Sequence, residues 1–172
     1  MHDVPIGLTI ARGALEETAI KEEIVSNGVL YYVPDIYEAY IIGPDIRSVH
    51  PYAFYANEKL ESVVFQGGAG DLNLGEGLFM DCKNLRDVQL PKDLTFIYTS
   101  MFSGCVSLES IDLTGITYIY SNAFMKTGLK SVTVPATVTT LEVRKRIDSY
   151  RVHPFRYIHG LQPGPAESRL TD

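Results

Sequence analysis

Cysteine, histidine and glycine are the residues from which a metal centre, a relay or a phosphate loop would be built. Cys82 and Cys105 stand alone, and neither a second cysteine pair nor a histidine cluster completes the four ligands of a zinc site. His2 and His50 are isolated from each other. His153 and His159 lie six apart with no acidic residue between them, which is neither a zincin spacing nor a proton relay. The run Gly67-Gly68-Ala69-Gly70 lacks the Lys-Ser/Thr that a phosphate-binding loop requires, and reads as a loop insertion. No nucleophile, base and orienting group pair up by spacing. The expectation is therefore no catalytic residue, no metal site and no cofactor, with an enzyme as a remote alternative.

Composition narrows the partners. The 172 residues carry 15 Lys/Arg against 21 Asp/Glu, a net charge of −6. An acidic surface is poorly suited to phosphate backbones, so nucleic acid is not an expected partner. With 45% hydrophobic and 21% charged residues the chain can build a core. No apolar run approaches the roughly 18 residues of a membrane span. The N-terminus, MHDVPIGLTIARGALEE, places Asp3 early and Arg12 after the apolar part. That is not the order of a signal peptide, and the compartment is left unknown.

The elements that hold these residues follow from a repeat. Phe54, Phe79, Phe102 and Phe124 are spaced 25, 23 and 22 residues apart. Six residues on come Leu60, Leu85 and Leu108, with Leu129 arriving one position early. Then follow Val63, Val88, Ile111 and Val132, and two further on Phe65, Leu90, Leu113 and Val134. Five residues before each phenylalanine sits Val49, Leu74, Ile97 or Ile119, and prolines recur at Pro44, Pro91 and Pro135. Units this short cannot bury their own apolar face, so they must stack and share one core. Stretches such as Val88-Gln89-Leu90 and Phe96-Ile97-Tyr98 alternate with the period of a strand. Ser100-Met101-Phe102-Ser103-Gly104 reads as a turn or short helical corner with its phenylalanine inside.

The same residues carry a family resemblance. Leu78-Phe79-Met80-Asp81-Cys82-Lys83-Asn84-Leu85 and Met101-Phe102-Ser103-Gly104-Cys105-Val106-Ser107-Leu108 resemble the aF-x-x-C-x-x-L segment of BspA-type leucine-rich repeats. Val88-Gln89-Leu90-Pro91 and Val132-Thr133-Val134-Pro135 are similar to the strand and proline that follow it. The resemblance covers residues 41–141. Asn57 and Thr127 stand where cysteine would, and Gly67-Gly68-Ala69-Gly70-Asp71 replaces a proline turn. The fold class this implies is an α/β-type or β-rich repeat solenoid, a leucine-rich stack of parallel short strands with turn or short-helix corners. Proteins of this kind are often surface or secreted adhesion factors of bacteria or protists.

Three segments are expected. Residues 1–40 form an N-terminal cap. Residues 11–23 suit a short amphipathic helix with Leu15 and Ala19 on one face. In Ile24-Val25-Ser26-Asn27-Gly28-Val29-Leu30-Tyr31 the Asn-Gly pair suits a type I′ hairpin, with a helix ending at Asn27-Gly28 as the competing form. Residues 41–141 form the array, of about four units. Residues 142–172 diverge: Arg146 stands near the place of the next phenylalanine, and 160–172 read as a flexible tail. Residues 1–141 hold 9 Lys/Arg and 17 Asp/Glu, whereas 142–172 hold 6 and 4. The run Arg144-Lys145-Arg146 is a solvated end or a dock for an acidic surface.

Two surface groups remain. Glu61, Arg86, Glu109 and Lys130 each follow the repeat leucine and alternate in sign, as a solvated ladder or a charged docking strip. Phe96 and Tyr98 flank Ile97, and Tyr118 and Tyr120 flank Ile119. If the isoleucines point inward, all four aromatics point outward. They then either stack to support the sheet or form a binding surface. Cys82 and Cys105, in one repeat column, are buried small side chains or a disulfide pair. The leading functional expectation is non-catalytic binding or adhesion, to an unknown protein or a glycan. A structural or vestigial array with no partner is the second.

Overall fold

A computed structural model describes residues 21–67, 72–130 and 135–141. Most of the stretch 11–23, residues 68–71, Val132, Val134, the basic run at 144–146 and the tail lie outside these, as do His2, His153 and His159.

The chain enters through the hairpin. Strands β1 (Ile24–Ser26) and β2 (Val29–Tyr32) pair antiparallel. Asn27 and Gly28 between them both have positive φ, 51° and 75°, as a type I′ turn requires. From there every pairing is parallel. Strand β4 (Ser48–Val49) lies between β2 and β6 (Asn73–Leu74), so Leu30, Val49 and Leu74 fall in one column. Strands β3 (Ala39–Ile42), β5 (Ser62–Phe65) and β7 (Asp87–Gln89) make a second sheet in which Tyr40, Val63 and Val88 align. Strands β8 (Phe96–Ile97), β9 (Tyr118–Ile119) and β10 (Thr140–Leu141) make the third, with Ile97, Ile119 and Leu141 in register. The architecture is a β-solenoid of parallel strands. Among the described residues no element is a helix, and none is long and apolar enough to cross a membrane.

The corners are consecutive turns. In the Phe102 unit, Met101, Ser103 and Cys105 each donate a backbone N–H to the carbonyl three residues earlier. The remaining amides reach the next unit: Ser100 to Ser121, Phe102 to Ala123 and Gly104 to Met125, at 2.8–3.1 Å. The Phe54 corner repeats this pattern, and the Phe79 corner repeats its interunit bonds and two of its turn bonds, from Met80 and Cys82. Alternating amides can point along the solenoid axis only if the chain reverses hand at fixed places. Two left-handed residues per corner do this: Tyr52 and Ala56, Gly77 and Asp81, Ser100 and Gly104, Asn122 and Lys126. At Gly104 the requirement is steric as well, because a Cβ there would lie 2.1 Å from Asp81 Oδ1.

One core runs the length of the described array. Phe54, Phe79 and Phe102 are fully buried, and their rings follow one another at 5.0 and 5.5 Å, with Phe124 a further 5.6 Å on. These steps match the strand spacing, so each phenylalanine packs on its copy in the next unit. Tyr40 closes the first end by setting its ring edge-on against Phe54, and its hydroxyl donates to Glu23. Burial and that carboxylate together push the Tyr40 phenol well above its ordinary value.

Candidate interaction surface

The column three residues after Phe54, Phe79 and Phe102 is buried but hydrogen-bonding. Cys82 donates its thiol to the Phe54 carbonyl and Cys105 to the Phe79 carbonyl, so each reaches back into the preceding unit. Asn57 does the same through Nδ2 to the Pro34 carbonyl, while its Oδ1 accepts from the Leu60 amide. The cysteine column therefore calls for a small side chain that donates one hydrogen bond, which is why asparagine can stand in it. Thr127 also donates, but to Phe124 in its own unit. Both thiols are free and buried. Burial pushes the Cys82 thiol well up and the Cys105 thiol up to about 12, so neither is a thiolate at neutral pH. They are structural donors.

The outside of the sheets carries the charged column and the aromatic residues. On the β3–β5–β7 side the charge column resolves into pairs: Glu61 with Arg86 at 3.8 Å and Glu109 with Lys130 at 2.9 Å. Lys83 adds a contact with Glu58 at 3.7 Å. All six side chains are about half to three-quarters exposed, where such pairs are worth little.

The β8–β9 side is different. Ile97 and Ile119 point into the core, and alternation turns Phe96, Tyr98, Tyr118 and Tyr120 outward. The four rings gather into one cluster. Tyr98 and Tyr120 stack 6.2 Å apart at 12°, Tyr118 and Tyr120 lie 4.3 Å apart, and Phe96 touches all three others at 6.4–6.5 Å. Phe96 remains 40% exposed, and the three tyrosines are half-buried against it and one another. Burial raises the Tyr98 phenol, and Tyr120 beside it adds to the effect. The Tyr98 hydroxyl therefore stays protonated and able to donate or accept.

The same outer rows hold a second aromatic pair that spacing alone did not reveal. Tyr31 on β2 stacks on His50 at 5.4 Å and 29°. Its column partner Leu30 precedes Val49 by only 19 residues, against steps of 25, 23 and 22 in the columns that follow, so the hairpin hid a strand of the array. Pairing of Leu30 with Val49 was the signal to look for.

The BspA type leucine rich repeat region matches this chain in 6 copies over residues 23–145. The chain belongs to that family. Among solved structures it is similar to a leucine rich cell surface protein from Faecalibacterium prausnitzii, at 31% identity and a TM-score of 0.58 over 64% of this chain. A leucine-rich repeat protein from Bacteroides ovatus matches at 25% identity and a TM-score of 0.55 over 67% of this chain. The chain spans less than a third of either, 30% and 31% of their lengths. No curated protein matches it.

Proposed function

We propose that this protein is a non-catalytic recognition module that binds another protein through the outer face of β8 and β9. The observation that carries the reading is the quartet of Phe96, Tyr98, Tyr118 and Tyr120, whose rings are gathered on the solvent side of a strand pair whose inner side is already filled by Ile97 and Ile119. Such rings offer large contact area with little rotamer entropy to lose, and tyrosine hydroxyls add directional hydrogen bonds. Tyr98 and Tyr120 stack on each other, so each covers one face of the other. A sugar ring packs best on an aromatic face, and this arrangement suits a protein surface better. Adhesion is the form of binding consistent with the cell-surface description of the Faecalibacterium prausnitzii protein.

The test is photo-crosslinking from a benzophenone side chain placed at Phe96, with one placed at Arg86 as the matched control. Adducts specific to position 96 identify the partner and the face together. Calorimetry against that partner then compares variants. Tyr98→Ala with Tyr120→Ala is expected to weaken binding by more than about 2 kcal/mol, the usual hot-spot threshold. Arg86→Ala is expected to change it by less than about 1 kcal/mol. Normal binding by the folded aromatic variant, with loss in Arg86→Ala, would move the contact to the charge ladder.

A further inference from the structure

The chain has 11 tyrosines, and the fold brings several of them into ring contact. Tyr37 and Tyr40 meet at 5.7 Å and 62°, Tyr52 and Tyr55 at 6.1 Å and 88°, and Tyr98 and Tyr120 at 6.2 Å and 12°. These separations lie within the roughly 4.5–7 Å usual for aromatic pairs. Tyr118 and Tyr120 are closer, with centroids 4.3 Å apart at 41°. The cause is local. Both flank Ile119, which is buried in the core, so both side chains leave the strand on the same outer face two positions apart. Tyr120 N–H donates to the Ile97 carbonyl at 2.9 Å, which fixes the backbone just beyond β9. From the neighbouring strand Phe96 packs on both rings at 6.4 Å, and Tyr98 stacks on Tyr120. The tyrosines of all these pairs are half-buried, so reagents in water have similar access to each. Separation sets the Tyr118–Tyr120 pair apart.

We infer that Tyr118 and Tyr120 form a site of oxidative cross-linking, at which a one-electron oxidant of the peroxidase class, fed by hydrogen peroxide, couples the two rings into a dityrosine. The inference goes beyond the recognition reading and does not depend on what binds the quartet. Each phenol gives up one electron and its hydroxyl proton, leaving a phenoxyl radical with spin on the ring carbons ortho to the oxygen. A carbon–carbon bond forms between one such carbon on each ring. The hydrogen that each of these carbons carried leaves as a proton, and each oxygen regains a proton, so both phenols are restored. The chain loses two hydrogens. One hydrogen peroxide takes up the two electrons and two protons and leaves as two waters. Coupling needs two radicals together, and it is favoured where the rings are already held in contact, at an effective concentration that separate phenols do not reach.

Treatment of the full chain with a haem peroxidase and hydrogen peroxide, followed by trypsin and mass spectrometry, tests this. Cleavage after lysine and arginine puts Tyr37 and Tyr40 in peptide 22–47, Tyr52 and Tyr55 in 48–59, and Tyr118 and Tyr120 in 93–126. The expected result is loss of two hydrogens from 93–126, with no fragment ions between positions 118 and 120, at a level at least about tenfold above the same loss in the other two peptides. Dityrosine fluorescence is expected in the monomer band. Tyr118→Phe, which keeps the ring and removes the phenol, abolishes the link, and Tyr98→Phe retains it. Equal loss in the three peptides, a link in 93–126 that survives Tyr118→Phe undiminished, or dityrosine formed only between chains overturns the proposal. Calorimetry of the Tyr98/Tyr120 variant reads binding alone, so failure of the recognition reading and failure of this one are told apart.

Discussion

The turns around Phe79 and Phe102 and the turn around Phe124 share a sequence pattern but not a burial. In the first two, phenylalanine, repeat leucine and cysteine are all fully enclosed. In the third, Phe124, Leu129 and Thr127 are each only half-buried. The difference comes from neighbours. Phe79 packs between Phe54 and Phe102, whereas Phe124 has Phe102 on one side and its next repeat position in the sequence, near 146, is arginine. In a solenoid each unit is sealed by the next, so identical residues are worth different amounts according to their place in the stack. The Phe124 turn is also directly below Tyr118 and Tyr120 in sequence terms. Half of the candidate surface therefore stands on the less enclosed part of the array.

The sharpest way to break this comparison is to remove the phenylalanines one at a time. Phe102→Ala is expected to cost about 3–5 kcal/mol in urea unfolding, through lost burial and a cavity between two rings. Phe124→Ala is expected to cost about 1–2 kcal/mol, because the ring is partly exposed before it is removed. Equal losses would mean that the stack is closed beyond Phe124 as tightly as at its centre.

The donor column gives a smaller contrast. Cys105→Ala removes a thiol bonded to the Phe79 carbonyl and is expected to cost about 1–2 kcal/mol, with Thr127→Ala below about 1 kcal/mol. The thiols also set a pH dependence. Both hold their protons more tightly folded than unfolded, so the folded chain binds more protons above the ordinary thiol value. Stability is then fully present below about pH 8.5 and falls as pH rises toward 12. Denaturation at pH 7 and pH 10 measures the fall, which the double variant Cys82→Ala/Cys105→Ala should reduce. A fall unchanged in that variant would assign it to the tyrosines.

The smallest effect is expected on the charged side. Lys130→Ala breaks the 2.9 Å contact with Glu109, and Arg86→Ala the 3.8 Å contact with Glu61. Each should shift stability by less than about 1 kcal/mol, and less again in high salt. A larger loss from either, measured by chemical denaturation, would show that the ladder contributes to holding adjacent units in register.

Periodicity determined the architecture. Because a short unit can bury its apolar residues only against its own copies, the columns of Phe, Leu and aliphatic positions had to coincide in space, and the inward direction of Ile97 and Ile119 fixed the outward direction of Phe96, Tyr98, Tyr118 and Tyr120. The Asn27-Gly28 hairpin was legible for a local reason, the left-handed backbone that both residues tolerate. Tertiary structure alone decided the rest. Tyr52, Ala56, Ser100 and Lys126 are left-handed without any residue type to announce it, since the interunit hydrogen bonds of the corner impose that conformation. The role of Asn57 became visible only when its amide met the Pro34 carbonyl, 23 residues away. The meeting of Tyr31 with His50 depends on how far one turn rises before the next begins. That rise is set by packing between units, a quantity no single repeat contains.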